Sequence, residues 1–145
     1  MFQHILIPTD GSELSEAAVQ KGIQLARSLN AKVTGFHVIL PFHVFTRRTE
    51  MLEDTKEQYE RESKIQAEQF LGVIKKAAEK AGVSCDSEYA TSDHPYEMII
   101  KTAENKGCDL IVMASHGRRG VQGVLLGSET QKVLTHSKTP VLVVR

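Results

Sequence analysis

The segment "ASHGRRGVQGVLLGSET" (114–130) places Gly117, Gly120, Gly123 and Gly127 within eleven residues. Ordering so flexible a backbone costs conformational entropy, so such a cluster asks for a compensating contact. The chemistry on offer is anion binding. Gly127-Ser128 opens a helical stretch, "SETQKVLTHS" (128–137). The first turn of a helix presents unpaired N–H groups and the positive end of the helix dipole. Glycine lets an anion reach those groups where a Cβ would hold it off. Ser128 with Gln131 fits the S-x-x-Q capping box, so its hydroxyl either caps the helix or donates to the anion. The alternative is that the glycines only build a tight connection.

Two common phosphate loops do not fit. A P-loop needs G-x-x-x-x-G-K-[ST], and here Ser128 follows Gly127 directly, with no lysine between. A dinucleotide fingerprint, G-x-G-x-x-G, belongs after the first strand, where this chain has Pro8-Thr9-Asp10-Gly11-Ser12. That second segment, "PTDGSE", carries its own chemistry. Asp10 supplies a carboxylate that could hold Mg²⁺. Alternatively it is the N-cap of the first helix, with Glu13 completing a capping box. Arg118 and Arg119 could reach a phosphate or stay solvated, and His116 reads as solvent-facing. The histidines at 4, 37, 43, 94 and 136 show no metal-ligand spacing. Cys85 and Cys108 read as free thiols in a reducing compartment.

These residues need elements to position them. "HILIPTD" (4–10) reads as a buried strand, 12–30 as a helix ending at Asn30, and "AKVTGFHVIL" (31–40) as a second strand. Helical spacing runs from about Glu50 to Ala81, with Gly82 as the stop and "EDTKEQYERESK" as a solvated face. "VSCDSEYAT" (83–91) alternates as an edge strand. A helix over 94–107, a buried strand "CDLIVMAS" (108–115), the helix 128–137 and a last strand "PVLVVR" (140–145) complete the order. Strict alternation of strand and helix predicts one α/β domain over 1–145, built on a parallel sheet with helices on both faces. Ligands of such sheets bind beyond the carboxyl ends of the strands, where strand order reverses. Both chemical segments fall at such ends. Formal net charge is zero, which gives no electrostatic case for nucleic acid. No apolar run is long enough to span a membrane, and the chain reads as cytoplasmic.

At this point the residues resemble the universal stress protein family, over residues 2–145. Nucleotide-binding members carry G-x2-G-x9-G-[ST] after the fourth strand, and this chain has Ala114-x2-Gly117-x9-Gly127-Ser128. "ILIPTDGS" and "PVLVVR" fit the family too. The resemblance implies an open, doubly wound five-stranded parallel sheet of the adenine nucleotide alpha hydrolase-like kind. It implies a cytoplasmic ATP-binding stress-response or regulatory module, with ATP (or AMP/ADP) as ligand. It places Pro8 and Thr9 beside the base, Asp10 near ribose and adenine, and Val38 and Met113 as apolar contacts to adenine. Gly117, Gly127, Ser128 and the backbone of Glu129 would meet the phosphates. Val38 and Met113 could equally be plain core. Ala114 stands where the family has glycine; its one added methyl is excluded only at positive φ. Members commonly form homodimers through their last strands. The alternatives are a slow ATPase or phosphotransferase, and a nucleotide-free interaction protein.

Overall fold

The computed structural model describes residues 1–43, 54–117 and 126–145. The first strand, β1 (His4–Pro8), ends at a proline that lacks an N–H to continue the ladder. Helix α1 (Glu13–Leu29) starts at Ser12, whose side chain accepts from Ser15 N, and stops at Asn30 with φ 54°. Then come β2 (Lys32–Ile39), α2 (Asp54–Ala81), β3 (Cys85–Thr91) and α3 (Pro95–Lys106). The chain closes with β4 (Leu110–Ala114), α4 (Ser128–His136) and β5 (Val141–Val144). Gly82 and Gly107 follow their helices at φ +71° and +70°, the left-handed geometry of helix ends. The strands stop short of the spans read from sequence: β1 ends before Thr9, and β4 omits Cys108, Asp109 and Ser115. The expected helix start near Glu50 lies outside the described residues.

The five strands pair in parallel in the order β3-β2-β1-β4-β5. From β1 the chain winds outward through β2 and β3, then returns to the other side of β1 for β4. The strand order therefore reverses between β1 and β4, and a crevice opens at their carboxyl ends. Along β1 the side chains alternate. Ile5 and Ile7 pack with Val19 and Ile23 of α1 and with Leu71 and Ile74 of α2. Leu6 packs on the opposite face with Ile99 and Ala103 of α3 and Val133 of α4. The sheet is covered on both faces, which is why β1 and β4 are buried at every position.

The amino ends of the strands are held by a polar chain. The Thr34 hydroxyl donates to Asp86 Oδ1 at 2.5 Å, and Lys106 Nζ reaches Asp86 Oδ2 at 3.1 Å. A hydroxyl has one proton, so Thr34 Oγ1 accepts from His4 Nε2 at 2.7 Å. Burial raises the Asp86 carboxyl, but the Thr34 and Lys106 hydrogen bonds outweigh it and hold the group below its ordinary value. His4 is buried, and burial followed by the charge of Lys32 lowers its pKa from 6.5. A histidine depressed on folding stabilises the protein above its unfolded pKa, and that stability is lost as pH falls through the folded value. Denaturant midpoints should therefore drop between about pH 7 and about pH 5. The drop should shrink in His4→Gln. Equal drops in both proteins would contradict the assignment.

Candidate functional site

A cavity of about 870 Å³ opens at the carboxyl ends of β1, β2 and β4. That is ample for a small organic ligand. Pro8, Thr9, Asp10, Val38, Met113, Ala114, Gly117, Gly127, Ser128 and Glu129 all line it. Gly120, Gly123, Arg118 and Arg119 lie outside the described residues.

The β1–α1 turn is tied at every residue. Thr9 N donates to Phe36 O at 2.8 Å, and Thr9 O accepts from His37 Nδ1 at 2.8 Å. Thr9 Oγ1 accepts from Gly11 N at 3.2 Å and pairs with Ser15 Oγ at 3.1 Å. Gly11 sits at φ +78°, and the Phe70 ring of α2 occupies the space a Cβ would need. Asp10 Oδ1 accepts from Ser12 N at 3.0 Å. The reading of Asp10 as helix N-cap is corrected here: the cap is Ser12, whose Oγ accepts from Ser15 N at 3.2 Å.

Across the crevice, Ala114 closes β4 opposite Val144 and has no positive φ. An alanine fits there without strain, and its carbonyl accepts from Thr130 Oγ1 at 2.9 Å. Gly127 N donates to Ser115 O at 2.6 Å. A Cβ on Gly127 would stand 3.2 Å from His116 Cα, so this glycine lets the segment's two ends close on each other. The capping-box reading of Ser128 also needs correction. Gly127 is the N-cap of α4, no side chain among the described residues caps that helix, and Gln131 Nε2 instead donates to Leu126 O at 3.2 Å. The opening turn of α4, which lines the cavity through Ser128 and Glu129, thus takes no side-chain cap from the described residues. The Glu129 carboxylate is turned to α3, accepting from Tyr96 N at 2.9 Å.

His116 differs from its solvent-facing reading: it is half-buried, lines the cavity, and pairs through Nδ1 with Ser115 Oγ at 2.8 Å. The sequence reading also missed a wall. Tyr59, Ser63, Gln66 and Phe70 of α2 line the cavity at steps of four, three and four, the spacing of one helix face. Tyr59 OH donates to Leu40 O at 2.6 Å, and the His37 and Phe70 rings meet edge to face at 5.2 Å. That spacing was the signal, masked by the charges between, which do face solvent at Lys56, Glu57, Glu60, Arg61 and Glu62. Among the described residues no His/Cys/Asp/Glu group could hold a metal by itself. The cavity thus brings the apolar residues Val38 and Met113, the Asp10 carboxylate and the opening turn of α4 into one lining.

Comparison with known proteins agrees with this architecture. The family described as "Universal stress protein family" matches residues 1–145. Universal stress protein MJ0531 of Methanocaldococcus jannaschii is 33% identical, covering all of this chain and 83% of that protein. Universal stress protein MJ0577 of the same organism is 34% identical, over 100% of this chain and 96% of that protein. A solved structure of MJ0577 superposes with a TM-score of 0.81, covering 99% of this chain and 96% of that one at 31% identity. A universal stress protein crystallised in complex with cAMP reaches 0.69 at 25% identity, covering 99% of this chain and 97% of its own.

The turn at Gly11 carries a measurable cost. A side chain there adopts a left-handed φ and displaces Phe70, so Gly11→Ala should lose about 2 kcal/mol in guanidinium unfolding. A loss under about 0.5 kcal/mol, the range of an inert surface change, would contradict this account of the turn.

Proposed function

The chain belongs to the universal stress protein family, and from that premise we propose that its cavity binds an adenine nucleotide, with ATP as the working ligand and AMP or ADP as lesser ones. One observation carries the reading: a helix N-terminus with no side-chain cap among the described residues and two apolar residues line the same cavity at the point where strand order reverses. The adenine lies against Val38 and Met113, flanked by Pro8 and Thr9. Asp10 accepts from the ribose hydroxyls. The backbone of Gly127, Ser128 and Glu129 receives phosphate. Mg²⁺, where present, is held by phosphate oxygens together with the Asp10 carboxylate. The relative crystallised with cAMP supports the adenine part of this reading. The protein acts in the cytoplasm as one regulatory domain. Nucleotide bridges the β1–α1 turn and the start of α4, and so alters the surface offered to partners. Hydrolysis is slow, because no P-loop lysine follows Gly127. ATP should raise the melting temperature, by about 2.7 kcal/mol of stabilisation at 100 times its Kd. Gly127→Val, which forces His116 away from α4, should remove that rise. An equal rise in both proteins would overturn the phosphate assignment.

The same premise supports a homodimer through β5, which is an edge strand with Leu142 43% exposed. Pro140 and Val144 turn their carbonyls to β4, accepting from Ile111 N and Ser115 N. By alternation, Val141 and Val143 turn their backbone groups to the open edge. A second copy related by a two-fold axis would cover that edge. Val143→Pro removes an outward N–H and leaves the β4 ladder intact. Light scattering should give twice the 16.1 kDa chain mass for wild type and the single-chain mass for the variant. A monomeric wild type would rule the dimer out.

A further inference from the structure

We propose that Gly117 is a positioning residue for Asp10: its missing side chain makes room for the Asp10 carboxylate, and it serves ligand binding through that carboxylate rather than by approaching phosphate. The proposal rests on the adenine-nucleotide reading of the cavity and assigns the glycine a different job within it.

A Cβ built on Gly117 would collide with Asp10 Oδ2 and stand 3.1 Å from Asp10 Cγ, and among the described residues beyond its chain neighbours none comes as close. The carboxylate therefore occupies the space where a residue-117 side chain would be. The backbone of Asp10 has little freedom to yield, so any adjustment falls on its side chain. Its neighbours Thr9, Gly11 and Ser12 are each hydrogen-bonded within the turn, and its own Oδ1 already accepts from Ser12 N at 3.0 Å. Gly11 is backed by the Phe70 ring, which fills the space beside it. Backbone conformation does not require glycine at 117, because its φ is not in the left-handed region. Gly127 contrasts with it: a Cβ there meets the backbone of His116 and Ser115, not the tip of a side chain. An alanine at 117 is thus accommodated by turning one carboxylate, and the change falls on the site more than on the fold.

The test measures Kd for adenosine and for ATP by calorimetry in wild type, Gly117→Ala, Asp10→Ala and the double variant, with unliganded melting curves for each. Loss of a charge-assisted hydrogen bond corresponds to roughly 10- to 100-fold in affinity. Gly117→Ala should show a loss in that range, equal for adenosine and ATP, with the unliganded melt close to wild type. The double variant should bind as Asp10→Ala does, because the glycine has no further effect once the carboxylate is gone. Weaker ATP binding with unchanged adenosine binding would assign Gly117 to the phosphate and overturn the proposal. Additive losses, or no loss at all, would overturn it too. If Gly117→Ala melts lower, the Asp10→Ala change should restore the melt, and failure to do so counts against the contact. If wild type binds neither ligand, the nucleotide reading fails on its own. A crystal structure of Gly117→Ala then decides the contact: a carboxylate moved off Ser12 N supports it, and an unmoved one overturns it.

Discussion

Parallel pairing of β1 with β4, Ile5 opposite Leu110 and Leu6 opposite Ile111, is the constraint on which the rest of the structure depends. Both strands are buried along their whole length. A slip of one residue would exchange the two faces, driving Ile5 and Ile7 toward the α3 side and Leu6 toward α1. The hydrophobic core thus sets the register, and the register sets the site. It brings the chain leaving Pro8 beside the chain leaving Ala114, so that a carboxylate from one turn and a glycine from the other come into contact. No residue of the cavity needs to find its place independently.

The glycines around the cavity answer to different physical demands. Gly11 is required by its left-handed φ and by the Phe70 ring behind it. Gly127 allows the close approach of the His116 backbone, which a Cβ would crowd at 3.2 Å. Gly117 leaves room for Asp10. Each demand comes from protein atoms and is met before any ligand arrives. The result is a cavity whose walls are already in contact with one another, which lowers the ordering cost of binding. The α4 N-terminus fits the same pattern, since the residue that could have capped it, Ser128, sits inside the helix instead.

Alternation of apolar runs with helical spacing made the fold readable: β1 and β4 are unbroken apolar segments, and both sheet edges, β3 and β5, lie where chain order put them. The stops at Asn30, Gly82 and Gly107 were readable because left-handed geometry selects asparagine and glycine. The residues that line the cavity from β1, β4 and the turn after each were readable for a related reason, as short motifs next to strand ends. Capping was not. Ser12 and Asp10 are both good caps, as are Gly127 and Ser128, and which one serves depends on backbone angles that composition does not encode. The α2 wall was missed because Tyr59, Ser63, Gln66 and Phe70 mix polar and aromatic types, so their shared face shows only once the helix is laid against β2. The Asp10–Gly117 contact spans more than a hundred residues and has no local signal.

The proposed function requires an adenine nucleotide to occupy this cavity in one orientation. A crystal structure of the protein grown with ATP tests that directly. Density is expected for the base beside Val38 and Met113, the ribose at Asp10 and a phosphate at the first turn of α4. An empty cavity at saturating nucleotide, or a nucleotide bound elsewhere or with its phosphates directed toward α2, would contradict it.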